Sequence, residues 1–159
     1  MSKHLLKFNV NGKDYALVVQ SHERLLDVLR DKLGLKGVKE GCGTGDCGIC
    51  GVLMDGKLVN SCLIFAIQAR NKQILTIEGV ATADKLHPIQ RAIVKLNAAQ
   101  CGYCIPAVVL ATKNLLDRNP NPTDDDIKRA TSGILCRCTG YLKIFQAVKI
   151  AASEMKKAH

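Results

Sequence analysis

The chain has 159 residues, of which 47% are hydrophobic and only 4% aromatic, so its core must be built from aliphatic side chains. This length fits one ordinary domain or two small ones. No apolar run is long enough to cross a bilayer, and charged residues interrupt the first seven positions, where a secretory signal would need apolar residues. We therefore expect a globular protein without a membrane span, and the cytoplasm as its default location.

The formal net charge is +9, from 23 Lys and Arg residues against 14 Asp and Glu residues. A nucleic-acid-binding protein would cluster its basic residues and interleave them with aromatic residues that stack on bases. Here the basic residues are spread along the whole chain. The charge pattern therefore predicts no nucleic-acid partner.

The first half of the chain is rich in strand and turn patterns. Hairpins are predicted across Asn11-Gly12 and Asp55-Gly56, because these dipeptides favour two-residue turns. Leucines recur at helical spacing over residues 22–33, and Gly34 follows as a stop signal. In order, the predicted elements are strands at 4–10 and 13–19, a helix at 22–33, strands at 51–54 and 57–59, a short helical or irregular piece at 62–69 and a strand at 73–77.

The second half carries helical patterns only. Residues 80–85 are small and polar, which is typical of a linker. Four helices are predicted after it, opened in order by Pro88, by Pro106, by Thr123 as an N-cap paired with Asp126, and by Thr139 as an N-cap. The sequence thus predicts an α+β fold, with a strand-rich domain at 1–78 and an all-α four-helix domain at 79–159.

Eight cysteines are the largest anomaly in the composition, and they fall into two sets of four. Without a secretory signal, metal binding explains them better than a disulfide framework does. The first set comprises Cys42, Cys47 and Cys50, at C-x4-C-x2-C spacing, and then Cys62. This spacing is typical of a plant-type 2Fe–2S ferredoxin, and the five glycines in residues 40–51 suit a loop around an anionic cluster. A zinc site or disulfides are the alternatives.

The second set is a C-x2-C pair and a C-x-C pair, namely Cys101 with Cys104 and Cys136 with Cys138. Two short cysteine pairs separated by a spacer also fit a structural zinc, which remains an alternative. Each pair directly precedes a predicted helix. Two helix N-termini would then face one centre and stabilise negative charge on it, which favours an iron–sulfur cluster.

The order of these motifs along nearly the full length resembles the small iron–sulfur subunit of the xanthine oxidase, or molybdenum hydroxylase, family. That family includes xanthine, nicotinate, aldehyde, quinoline and carbon monoxide dehydrogenase types and 4-hydroxybenzoyl-CoA reductase. The matching stretches are residues 39–50, Cys62, residues 100–104 and residues 135–141. The resemblance implies a β-grasp ferredoxin-like domain followed by the helical domain, each holding one 2Fe–2S cluster.

The resemblance also implies roles for individual residues. Cys42, Cys47, Cys50 and Cys62 would bind the cluster nearer a flavin, and Cys101, Cys104, Cys136 and Cys138 the cluster nearer a molybdenum cofactor. Gln100 and Cys138 match positions that touch the pterin. One departure lies beside the second set, where Ile105-Pro106-Ala107 replaces the usual Thr-Pro-Gly and removes a hydroxyl near the cluster.

The implied function is electron transfer within an oxidoreductase complex. The clusters would pass electrons between molybdopterin on a large partner subunit and FAD on a medium partner subunit, or an external acceptor. Substrate chemistry, on an N-heterocycle or an aldehyde, would belong to the large partner, because the chain contains no candidate catalytic residue. The rival interpretations are a free two-cluster ferredoxin and, in another class, a zinc-stabilised interaction module.

Overall fold

The computed structural model describes residues 2–82 and 85–157, so positions 83 and 84 of the predicted linker lie outside it. The elements are β1 (Lys3–Val10), β2 (Lys13–Gln20), α1 (Leu25–Asp27) continued by a π-helical turn (Val28–Lys32), β3 (Gly51–Met54), β4 (Lys57–Asn60), a 3-10 turn (Ala66–Ala69), β5 (Gln73–Leu75), a second 3-10 turn (Ile77–Gly79), α2 (Pro88–Lys95), α3 (Ile105–Arg118), α4 (Asp124–Thr131) and α5 (Leu142–Lys157). None of these helices is long and apolar enough to span a membrane.

The five strands form one mixed sheet in the order β2-β1-β5-β3-β4. β1 pairs antiparallel with β2 and parallel with β5, while β3 pairs antiparallel with both β4 and β5. Both predicted hairpins are confirmed. Each turns on two residues with positive φ, Asn11 (54°) with Gly12 (81°) and Asp55 (48°) with Gly56 (74°), as a two-residue turn in a twisted hairpin requires.

The helix expected over residues 22–33 is shorter than predicted and changes type along its length. Tertiary pairing holds its expected start extended, because Ala66 N–H donates to the Glu23 carbonyl (2.7 Å) and Leu25 N–H to the Ile64 carbonyl (2.7 Å). The π-helical turn ends with Leu33 N–H donating to the Val28 carbonyl at 3.1 Å. Gly34, at φ 73°, then ends the helix as predicted.

All four helices predicted for the second half are present. Thr123 caps α4 as expected, with Asp126 N–H donating to its Oγ1 (3.2 Å) and its own N–H donating to Asp126 Oδ2 (2.9 Å). The cap predicted at Thr139 is wrong, because α5 begins only at Leu142. Tyr141, at φ 66°, lies between them and breaks the helical backbone.

Two hydrophobic cores result, one in each half of the described chain. The first lies between the sheet and α1 and is built from residues 6–74. The second lies among the helices and is built from residues 89–152, where α2 packs on α5 and α3 on α4. α3 also packs against β3, which joins the two halves close to the first cysteine set.

Candidate metal centres

The first cysteine set lies on the loop before β3 and on the segment after β4. Cys47, Cys50 and Cys62 are buried, and Cys42 is exposed. Three backbone amides donate to sulfurs within the loop: Cys42 N–H to Cys47 Sγ (3.3 Å), and the N–H groups of Cys47 and Thr44 to Cys42 Sγ (3.4 Å each). The loop therefore already directs positive backbone dipoles at the sulfurs, as an anionic cluster would need.

Glycine is required where this loop approaches a sulfur. A Cβ at Gly41 would lie 2.6 Å from Cys47 Sγ, closer than the Cβ atoms of real side chains approach other atoms. Gly43, Gly45 and Gly48 have φ values of 72°, 90° and 64°, in the left-handed region that glycine adopts without strain. The glycine pattern in the sequence therefore has a direct steric and conformational cause.

Two polar anchors fix the ends of this site. Arg24 donates to both carboxylate oxygens of Asp27 (2.7 and 2.8 Å) and to Glu40 Oε1 (2.7 Å), which holds the start of the loop against α1. The buried Ser61 hydroxyl donates to the Cys50 carbonyl at 2.7 Å and ties the segment of Cys62 to the loop. No local pattern marks the Arg24–Glu40 or Ser61–Cys50 contacts, because each joins residues more than ten positions apart.

The free thiols of the first set differ in acidity. Hydrogen bonds from Thr44, together with the Cys47 amide, lower the pKa of Cys42 to about 6. Burial, reinforced by the neighbouring Cys50, raises the pKa of Cys62 to about 11. Cys42 is therefore the thiol most ready to ligate as a thiolate, and it lies at the exposed edge of the site.

The second cysteine set encloses a cavity of about 310 Å³. Its lining contains all four cysteines of the set together with Ile49, Tyr103, Leu135 and Arg137. Cys101 Sγ and Cys138 Sγ lie 3.6 Å apart at the exposed side, while Cys104 is buried and Cys136 half-buried. The structure thus brings together two cysteine pairs that are far apart in sequence.

The sulfurs of this cavity approach one another in pairs. Cys101 Sγ lies 3.6 Å from Cys138 Sγ. Burial, reinforced by the neighbouring Cys136, raises the pKa of Cys104 to about 12. Across residues 2–82 and 85–157, no group of three or more His, Cys, Asp or Glu side chains converges on one ion position. A 2Fe–2S cluster takes two thiolates at each of its two irons, so two pairs of thiols around one cavity fit this cofactor.

Of the two helices expected to begin directly after a cysteine pair, α3 does so and α5 does not. Cys104 is the N-cap residue of α3, and its carbonyl accepts the Val108 N–H at 3.1 Å, so the start of α3 adjoins the second set. Because α5 begins at Leu142, its N-terminus does not directly follow Cys138 as expected. Thr139 instead contacts the set itself, with its Oγ1 3.1 Å from Cys136 Sγ.

Known proteins match this chain over both of its halves. A 2Fe-2S iron-sulfur cluster binding domain matches residues 8–74, and a second 2Fe-2S binding domain matches residues 76–149. The nicotinate dehydrogenase small FeS subunit of Eubacterium barkeri is 47% identical over 151 residues, covering 95% of this chain and 96% of that protein. The chain belongs to the small iron–sulfur subunits of the molybdenum hydroxylase family.

Further relatives agree with this assignment. The aldehyde oxidoreductase iron-sulfur-binding subunit PaoA of Escherichia coli is 40% identical, over 95% of this chain and 72% of that protein. A chain of quinoline 2-oxidoreductase from Pseudomonas putida 86 superposes with a TM-score of 0.93 at 36% identity, over 98% of this chain and 97% of that chain. The predicted α+β fold, the two 2Fe–2S clusters and the electron-transfer function are thereby confirmed.

The two cysteine sets of this iron–sulfur subunit adjoin each other across the contact between its halves. Leu135 N–H donates to the Cys47 carbonyl at 2.9 Å, and the Tyr103 hydroxyl donates to the Glu40 carbonyl at 2.6 Å. Ile49, from the first loop, lines the cavity of the second set. Sequence reasoning missed these contacts, because nothing local in the sequence marks Leu135 or Ile49 as interface residues.

The outer rim of the second set in the subunit is open. Cys101 and Cys138 are exposed, and Gln100, next to Cys101, is exposed as well. Leu135 and Leu142, near Cys136 and Cys138 in sequence, are also exposed, at 57% and 65% of their surface. A cofactor or partner can therefore reach this rim directly.

Proposed function

We propose that this subunit relays electrons between a molybdopterin held by a large partner subunit and an FAD held by a medium partner subunit. The observation that carries the proposal is the adjacency of the two cysteine sets through the Leu135–Cys47 hydrogen bond. Each set also has an exposed outer end, Cys42 in the first and Cys101 with Cys138 in the second. An electron can thus enter at one surface, cross a short packed interior and leave at another.

We further propose the ligands of each cluster. Cys42, Cys47, Cys50 and Cys62 would bind the first, and Cys101, Cys104, Cys136 and Cys138 the second. The clusters supply one-electron redox chemistry, while the protein holds them at fixed positions and directs hydrogen-bond donors at their sulfurs. Support comes from the amide donors in the first loop and from the shared cavity of the second set.

We also propose a division of the chain into two domains, at residues 1–78 and 79–159. The two hydrophobic cores are built from residues on either side of this division. The two 2Fe–2S family matches meet between residues 74 and 76, close to the same point.

The exposed rim of the second cysteine set is the surface that we expect to contact the large subunit. We propose that Gln100 and Cys138 meet the pterin of the large subunit, since both are exposed beside the second set. The Gln100 amide can donate and accept hydrogen bonds, which suits a heterocycle with both kinds of group. The complex would reside in the cytoplasm.

The substrate class is proposed from the relatives' names. Proteins similar to this chain include subunits of a nicotinate dehydrogenase, a nicotine 6-hydroxylase and a quinoline 2-oxidoreductase. An N-heterocycle is therefore the substrate class that we expect for the complex. An aldehyde is the second candidate, because subunits of aldehyde oxidoreductases match as well.

Purification of the native complex tests this proposal. We expect the subunit to copurify with a large subunit carrying molybdopterin and a medium subunit carrying FAD. Adding an N-heterocyclic substrate under anaerobic conditions should bleach the visible absorption of both clusters. A subunit that purifies alone with both clusters stably bound would support the free ferredoxin and contradict the proposal.

A further inference from the structure

Thr139 occupies a position that the sequence pattern assigned to a helix cap but that the structure uses differently. It lies three residues before α5 begins, and its Oγ1 is 3.1 Å from Cys136 Sγ. The hydroxyl therefore contacts a proposed ligand of the second cluster rather than the end of a helix. What this hydroxyl does depends on which of the two atoms donates the hydrogen bond.

The surrounding hydrogen bonds settle that direction. Tyr141 N–H donates to Thr139 Oγ1 at 3.3 Å, so one lone pair of the hydroxyl oxygen is already used as an acceptor. A cysteine that ligates iron has lost its thiol proton and can only accept. The Thr139 hydroxyl proton must then point at Cys136 Sγ.

Tyr141 reinforces this arrangement from the other side of Cys136. Its phenolic oxygen accepts the Cys136 N–H at 2.7 Å and its hydroxyl donates to the Ile134 carbonyl at 3.1 Å. This hydrogen bond between the Cys136 amide and the Tyr141 phenol holds the backbone of Cys136 in place, and with it the position of the sulfur.

The two cysteine sets differ in the kind of donor that reaches their sulfurs. In the first loop the donors to Cys42 and Cys47 described above are backbone amides, which substitution does not remove. In the second set a side-chain hydroxyl takes part, and it can be deleted or kept by a single substitution. Thr139 thereby offers an adjustable contact at the Cys136 sulfur.

We propose that Thr139 is a positioning residue that raises the reduction potential of the second cluster through its hydrogen bond to the Cys136 thiolate. Reduction adds one electron, and part of the added negative charge falls on the ligating sulfurs. A donor held at the sulfur stabilises the reduced form more than the oxidised form. The inference rests on the proposed function, in particular on Cys136 being a ligand. It adds that the electron equilibrium between the two clusters is set partly by Thr139.

The test is to measure both reduction potentials by EPR in the purified complex at a series of fixed potentials. The variants are Thr139→Val and Thr139→Ala, which remove the hydroxyl, and Thr139→Ser, which keeps it as the matched control. We expect the hydroxyl-free variants to lower the second potential and shift the electron equilibrium roughly three- to tenfold toward the first cluster. The first potential should not change, and the serine variant should behave as the parent protein.

An independent signature is the hyperfine coupling of an exchangeable proton to the reduced second cluster. This coupling should be lost in Thr139→Val and retained in Thr139→Ser.

Unchanged potentials in the hydroxyl-free variants would overturn the inference, as would an equal fall of the potential in the serine variant. Failure of both hydroxyl-free variants to assemble the second cluster would also overturn it, because the hydroxyl would then serve assembly. If the parent protein lacks two EPR signals, the proposed function fails instead.

Discussion

At the scale of one residue, Cys42 shows how the first loop favours the thiolate form that binds a metal. Its side chain is exposed, so burial contributes little to its acidity. Hydrogen bonds from Thr44 and Cys47 stabilise the thiolate and lower its pKa to about 6. In contrast, burial and the neighbouring Cys136 raise the pKa of Cys104 to about 12.

These pKa values predict a difference in reactivity in protein prepared without iron. The lowered pKa means that Cys42 is a thiolate above about pH 6 and loses that form as the pH falls below it. Iodoacetamide at pH 7 should therefore label Cys42 before Cys104, as measured by mass spectrometry of digested protein. A midpoint near 9, the ordinary value of a thiol, in the parent protein would contradict this account.

At the scale of secondary-structure elements, α4 depends on its capping residue. The helix has only eight residues and three aspartates in its first turn, and it buries Ile127 in the second core. An eight-residue helix is not stable alone, so its ends and its packing must hold it. Thr123 and Asp126 satisfy amides at its start by the reciprocal bonds described above.

Removal of this cap should measurably lower the stability of the folded protein. Thr123→Ala should lower the free energy of unfolding by about 1 kcal/mol, because an amide of the first turn loses its acceptor. Thr123→Ser keeps the hydroxyl and should change stability by less than about 0.5 kcal/mol. Urea denaturation followed by circular dichroism measures both, and equal stabilities for the two variants would show that the hydroxyl does not stabilise α4.

The elements differ in how far the sequence alone could predict them. The hairpins at Asn11-Gly12 and Asp55-Gly56 and the cap at Thr123 are decided by residues within four positions, so the sequence predicts them well. The late start of α1 depends on pairing with residues 64–66, which local patterns do not contain. Thr139 looked like a cap because threonine is common there, yet it is three residues from α5 and bonds to Cys136.

The same distinction holds for the candidate centres. Spacing indicates the run from Cys42 to Cys50 and each of the two later pairs, because the cysteines of each group lie within a few residues of one another. The enclosure of the second set depends on Ile49 and Leu135, which come from opposite halves of the chain. Relations of this kind follow from tertiary packing and have no local sequence signal.

At the scale of the whole molecule, two glycines lie against each other where the halves meet. Gly48 has a φ of 64°, and a Cβ on it would overlap the carbonyl oxygen of Gly133. A Cβ on Gly133 would meet no atom within 4 Å. The Leu135–Cys47 hydrogen bond adjoins this contact, because Cys47 precedes Gly48 and Leu135 lies two residues after Gly133.

This asymmetry predicts opposite results for two similar substitutions. Gly48→Ala should lower the free energy of unfolding by about 2 kcal/mol or more, from backbone strain and from the overlap with a rigid carbonyl. Gly133→Ala should stay within about 0.5 kcal/mol of the parent protein. Chemical denaturation of both variants measures the difference, and a Gly48→Ala protein as stable as Gly133→Ala would mean that the halves do not pack as described.

The central claim is that two separate sets of four cysteines hold two 2Fe–2S clusters in one electron path. EPR spectra of the dithionite-reduced protein, combined with iron analysis, test it most directly in the parent protein and in the variants Cys62→Ser and Cys104→Ser. The parent should contain about four irons per chain and show two distinct signals. Cys62→Ser should perturb or abolish one signal and Cys104→Ser the other. A single signal in the parent, or loss of the same signal in both variants, would contradict the account.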